Sequence, residues 1–148
     1  MDIYSHSIEA EFPNLKKHKY KITSPVSPEY NCIAWVVGDN TKWWWPDMQY
    51  IAYWPEYIPR EISLDSFIRL FTSLGYMLCE DEMFEKGYEK VAIFIDNTGV
   101  PTHTTRQLLN GRWTSKLGKY IDIEHGLKGL TNSSYGKVAQ IMKRKRKK

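Results

Sequence analysis

Cys32 and His103 are the residues whose types and placement could together do covalent chemistry. A thiol nucleophile needs a site that favours thiolate, an imidazole to take its proton, and a group that orients the imidazole. Asn31 is a good helix N-cap, the apolar run Ile33-Ala34-Trp35-Val36-Val37 follows, and Gly38 can end it. This pattern predicts a short core helix with Cys32 in its first turn, where unpaired N–H groups favour negative charge. His103 opens a predicted strand 71 residues later. Each residue also has a plainer reading. Cys32 sits in an apolar run and fits a small buried core residue. His103 fits a strand-end histidine bonded to backbone, and Ser115 fits a cross-hairpin pair. Cys79, in Met77-Leu78-Cys79, reads as core.

The elements that must position these groups follow from pattern. Residues 1–30 read as an irregular entry with Pro13, Pro25 and Pro28. Residues 41–60 are aromatic and punctuated by proline, and read as a loop of little regular structure. Three consecutive tryptophans, Trp43-Trp44-Trp45, cannot all face one core, so at least one should be partly exposed or wall a groove, the plainer reading being a loop lid packed over the core; Trp44 and Trp45 are the candidates for contacting substrate. Ser63 caps a helix whose Leu64, Phe67, Ile68, Phe71 and Leu74 share one face, and Gly75 stops it. Residues 90–96 read as a strand with a turn at 97–99. Residues 103–109 and 112–117 flank Asn110-Gly111, a strong hairpin signal. A last strand or helix covers about 135–142. Helices first and an antiparallel meander afterwards predict an α+β class.

Composition limits what this domain can be. The chain has 148 residues, 42% hydrophobic and 14% aromatic, which suits one folded domain and excludes a disordered chain. The formal charge is +4, but residues 143–148 are all basic; without them 15 positive face 17 negative residues. The basic character therefore reads as a disordered tail on a single domain of residues 1–142. Such a tail attracts polyanions nonspecifically, and without a base-reading motif no specific nucleic-acid partner is expected. Two cysteines make no disulfide framework, no C-x-x-C pair suggests zinc, and no glycine-rich phosphate loop occurs. No metal and no cofactor is expected. No stretch has the apolar length of a membrane span, and the Met1-Asp2-Ile3-Tyr4-Ser5-His6 start lacks a secretory signal. The expected compartment is the cytoplasm.

Two resemblances add to this reading. The segment from His103 through Gly111, Arg112-Trp113 and Ser115 resembles the histidine hairpin of NlpC-type, papain-like cell-wall peptidases. In that family a turn glycine stands eight residues after the histidine and the third catalytic residue twelve after it. Gly111 and Ser115 occupy those offsets. Asn31-Cys32 is similar to the family's Asp-Cys at the head of a helix, and Tyr20 stands twelve residues before Cys32, where a family tyrosine often completes the site. Serine is a departure at the third position, which leaves Asp122, Glu124 and His125 as alternatives. The second resemblance spans most of the chain. Asn31-Cys32-Ile33-Ala34-Trp35, Trp43-Trp44-Trp45-Pro46, Pro101-Thr102-His103, Trp113-Thr114-Ser115-Lys116-Leu117-Gly118 and Asp122-Ile123-Glu124-His125 are similar to a small bacterial family of unknown function.

The peptidase resemblance implies a papain-like arrangement, with N-terminal helices packed on an antiparallel sheet. It also implies a cysteine hydrolase or acyl transferase acting on an amide or peptide bond, such as a cell-wall peptide. Cys32 would attack the carbonyl, His103 would carry the proton, Ser115 would orient the imidazole, and Tyr20 would supply an oxyanion donor beside the Cys32 N–H. Delivery by phage or a secretion apparatus would reconcile a wall substrate with the missing signal. The alternative is a non-catalytic module that binds a partner or ligand through the 43–57 aromatics.

Overall fold

The computed structural model describes residues 5–24 and 26–146. Pro25 and the last two residues of the basic run, Lys147 and Lys148, lie outside the described residues, as do Met1 to Tyr4. The chain forms α1 (Ser5–Glu11), β1 (Tyr20–Ser24), α2 (Cys32–Val37), α3 (Leu64–Ser73), β2 (Met77–Cys79), β3 (Tyr88–Ile95), β4 (Pro101–Gln107), β5 (Trp113–Lys116), β6 (Asp122–His125) and β7 (Lys137–Lys145). The strands make one seven-stranded sheet in the order β1-β6-β5-β4-β3-β7-β2. Its strand pairs are antiparallel.

Local signals set the short elements. The Asn31 side chain accepts from the Ala34 N–H to start α2, and Gly38 at φ +85° ends it in the left-handed conformation that glycine adopts without strain. Ser63 caps α3 through the Ser66 N–H. Leu108 and Arg112 close the β4–β5 hairpin with Gly111 at φ +84°.

The papain-like expectation is overturned. The molecule is mostly antiparallel sheet, its helices only seven, six and ten residues long, and no papain-like arrangement is present. The physical reason lies at both edges of the sheet. Tyr20–Ser24, read as part of an irregular entry, pairs with β6, placing Tyr20 opposite His125. Met77–Cys79 pairs with β7, placing Cys79 opposite Ile141. Cys79 is half-buried at that sheet edge rather than in the core.

The boundary at residue 142 also moves. Strand β7 runs through Lys145, so the basic run begins inside the sheet. Lys143 reaches Glu85 at 3.0 Å, Arg144 reaches Glu89 at 2.5 Å and the Leu74 carbonyl at 2.6 Å, and Arg146 reaches the Tyr88 carbonyl. Acids next to β7 and main-chain carbonyls hold these cations, where composition alone suggested a free tail.

Two of the three buried clusters lie on opposite faces of the sheet, and Cys79 packs against the third, formed by Ala92, Trp113 and Ile141. Cys32, Ile33 and Val36 of α2 and Phe67, Leu70 and Phe71 of α3 cluster with Val91, Ile93 and Met142. Ile8, Phe12 and Leu15 cluster with Phe94, Leu117, Ile121 and Ile123. Adjacent strand residues point to opposite faces, so Ile93 and Phe94 serve different cores. Among the described residues no helix is long and apolar enough to cross a membrane.

Candidate functional site

Cys32 begins α2 and is 6% exposed. Burial pushes its thiol up from the ordinary value; contacts with the amide and hydroxyl of Thr104 and with the nearby N–H groups of Ile33 and Cys32 itself offset only part of this. The Thr104 hydroxyl adjoins the sulfur without forming a hydrogen bond. A six-residue helix adds little dipole, so the sequence argument for thiolate meets a stronger opposing term.

His103 is fully buried in β4. Its Nε2 lies 2.9 Å from Ser115 Oγ, joining the two residues that the twelve-residue spacing had paired. Ser115 Oγ also lies 2.7 Å from His125 Nε2 and 2.7 Å from Thr105 Oγ1. Proton placement follows from the acceptors. The Gly126 carbonyl, 2.7 Å from His125 Nδ1, can only accept, so that nitrogen carries the proton. Thr105 donates its hydroxyl to the Thr114 carbonyl, so Ser115 donates to Thr105 Oγ1 and accepts from an N–H at His103 Nε2. This leaves His103 Nδ1 as a bare lone pair, and it has no hydrogen-bond partner. Desolvation holds His103 well below the usual imidazole value, with the charge of His125 adding to the effect; desolvation also lowers His125 to about 4.

Cys32 and His103 approach the sheet from opposite faces. Thr104, beside the sulfur, is registered with Ile93 of the first core, whereas His103 is registered with Phe94 of the second. No hydrogen bond joins thiol and imidazole. The His103 ring stacks instead on Tyr135, with centroids 4.1 Å apart and planes 6° from parallel.

A cavity of about 750 Å³ opens over Cys32, walled by Trp43, Trp45, Ile51, Ala52 and Tyr135. Thr102, Gln49 and Lys119 add polar edges. Its wall is held from behind: Asn31 Oδ1 accepts from the Trp44 N–H at 3.0 Å and Asn31 Nδ2 donates to the Trp44 carbonyl at 2.8 Å, so one side chain caps α2 and pins the tryptophan run. Trp44 itself turns away, donating to Asp39 and packing edge-on against Tyr53. In an extended segment alternate side chains share a face, which is why Trp43 and Trp45 wall the cavity together. That signal was available in the sequence for Trp43. Nothing in the sequence marked Tyr135 or Lys119.

The remaining candidates lie elsewhere. The Tyr20 hydroxyl donates to Glu9 at 2.7 Å, away from the cavity lining. Glu124 pairs with Arg112 at 3.2 Å. Asp122 accepts from the Tyr30 hydroxyl at 3.2 Å. His125 is the alternative that joins the His103–Ser115 pair. Among the described residues no group of three His, Cys, Asp or Glu is placed to hold a metal ion.

No match was found among curated proteins or among solved structures. The model of a domain of unknown function, DUF7689, matches residues 21–143. That span runs from β1 into β7 and includes Cys32, the tryptophan run, the buried histidines and Tyr135, so the chain belongs to the DUF7689 family.

Proposed function

We propose that this domain is a ligand-binding module whose site is the aromatic cavity above Cys32. The observation that carries the reading is the cavity itself: about 750 Å³, within the size range of small-molecule sites, with mostly apolar walls and a few polar groups at its edge. The walls are pre-organised. Trp43 donates to the Pro28 carbonyl at 2.6 Å, and Arg60 ties the Asp47 and Ala52 carbonyls together at 2.8 and 2.7 Å. A wall held in place before binding loses less entropy when a ligand arrives.

A cysteine hydrolase or acyl transferase acting on a peptide or amide is the second reading. Two observations favour it: the Cys32 thiol opens on the cavity, and His103 is paired with Ser115. It requires His103 to pass Tyr135 and reach the other face of the sheet, and it requires charge on two groups that burial keeps neutral.

Iodoacetamide labelling followed by intact mass, on a Cys79→Ser background, separates the two. The binding module predicts slow labelling of Cys32 that accelerates only above the ordinary thiol range. Rapid labelling at neutral pH with an acidic inflection would overturn it in favour of the enzyme. A fragment screen read through the indole N–H resonances of Trp43 and Trp45 tests the cavity directly. If no small molecule shifts them, the binding reading falls.

A further inference from the structure

We infer that the ligand of this cavity is an anion, an apolar body ending in a carboxylate or similar oxyanion. The inference rests on the cavity being a binding site and specifies what it binds. Hydrogen-bond supply in the lining is unbalanced. The indole N–H groups of the neighbouring tryptophans are all spent inside the protein: Trp35 on Thr114, Trp43 on the Pro28 carbonyl, Trp44 on Asp39 and Trp54 on the Pro59 carbonyl. Among the described residues, Trp45, which lines the cavity, has no acceptor for its indole N–H. Its ring is fixed edge-on against Phe67 with centroids 5.4 Å apart, so the donor is held in place.

Lys119 lines the same cavity and forms no ion pair or hydrogen bond among the described residues. The lining's carboxylate and its Asn31 amide are already engaged within the protein. The Asp47 carboxylate accepts from the Ile51 and Ala52 N–H groups at 2.9 and 3.0 Å and faces Arg60 at 3.6 Å. The Asn31 carbonyl oxygen accepts from Ala34 and Trp44. The Thr102 hydroxyl spends its proton on the Tyr135 carbonyl at 2.6 Å, which leaves its oxygen as an acceptor only. An amine entering here would meet an unpaired ammonium and no free carboxylate. A carboxylate would meet the Trp45 indole donor and, at the exposed edge of the cavity, the Lys119 cation, beside mostly apolar walls.

The test uses three probes of one shape, 4-phenylbutyrate, 4-phenylbutanol and 4-phenylbutylamine, titrated against the full chain while the Trp45 indole resonance is followed. The carboxylate should bind about tenfold more tightly than the amine, with the alcohol between them. Lys119→Gln should bring the carboxylate close to the alcohol and leave the alcohol unchanged, a comparison that a misfolded variant cannot pass. Trp45→Phe should weaken the carboxylate more than the alcohol. A short peptide ending in Trp-Leu, as free acid and as amide, distinguishes the source. Preference for its free acid over both its amide and phenylbutyrate identifies a polypeptide C-terminus, and preference for phenylbutyrate identifies a small carboxylate. Equal binding of amine and carboxylate overturns the anion inference while the cavity reading stands. Silence from all three phenyl probes overturns both.

Discussion

The His103 imidazole lies flat against the Tyr135 ring, 4.1 Å centroid to centroid, with the planes 6° from parallel. Tyr135 also lines the cavity above Cys32, so a single aromatic ring stands between the buried histidine and the site. Behind that ring His103 is held by Ser115 rather than by the thiol. His103 and Ser115, which the peptidase resemblance placed together, lie on the far side of the sheet from Cys32.

Ser115→Ala should expose how much that buried network matters. The change leaves the His103 Nε2 donor without its acceptor and the Thr105 hydroxyl oxygen without its donor. An unsatisfied buried polar group costs about 1–3 kcal/mol, so the urea midpoint should fall accordingly. The imidazole nitrogen resonances give an independent reading. In the unsubstituted protein His103 should be protonated at Nε2 and bare at Nδ1, and the variant should lose that single-tautomer signature.

Acid should destabilise the fold through the same two histidines. Both are held below the usual imidazole value of 6.5 in the folded state, His125 at about 4 and His103 well below 6.5. Between those values and 6.5 the unfolded chain binds more protons, so stability rises with pH there and is lost as pH falls below 6.5. Each histidine contributes a slope of up to about 1.4 kcal/mol per pH unit. Urea midpoints measured from pH 7 to pH 5 should drop, and His125→Gln should flatten the drop. An unchanged slope in that variant would mean that His125 is not titrating as placed.

Asn31→Ala should couple helix stability to the cavity wall. It removes the cap of α2 and both main-chain bonds to Trp44. Losing a cap of this kind costs about 1 kcal/mol, and the unpaired Trp44 groups add to it. The Trp45 indole resonance should shift or broaden in the same variant. Asn31→Asp keeps the acceptor for Ala34 and Trp44 but not the donor to the Trp44 carbonyl, so it should fall between the two. A loss of stability with no change at Trp45 would show that the cap and the wall are independent.

Much of the local structure was legible because it is set by neighbours in the chain. The Asn31 and Ser63 caps, the left-handed glycines Gly38 and Gly111, and the apolar face of α3 each depend on contacts within a few residues. The hairpin at Asn110-Gly111 was legible for a related reason, since its turn is set by local residues; that Ser115 meets His103 came from the resemblance and not from the turn. Tyr20–Ser24 was harder, because a five-residue alternating run has no identity as a strand until β6, about a hundred residues later, supplies its hydrogen-bond partners.

The amino-acid sequence by itself determined where the chain turns, which segments have an apolar side, and that Cys32 heads a helix. Tertiary structure alone decided that Cys32 and His103 meet the sheet from opposite faces, that the basic run pairs with Glu85 and Glu89, and that Tyr135 from a distant loop covers the imidazole. The physical reason is the two-residue period of a strand. A shift of one position sends a side chain to the other core, and the choice between faces is made by whichever distant elements pack there.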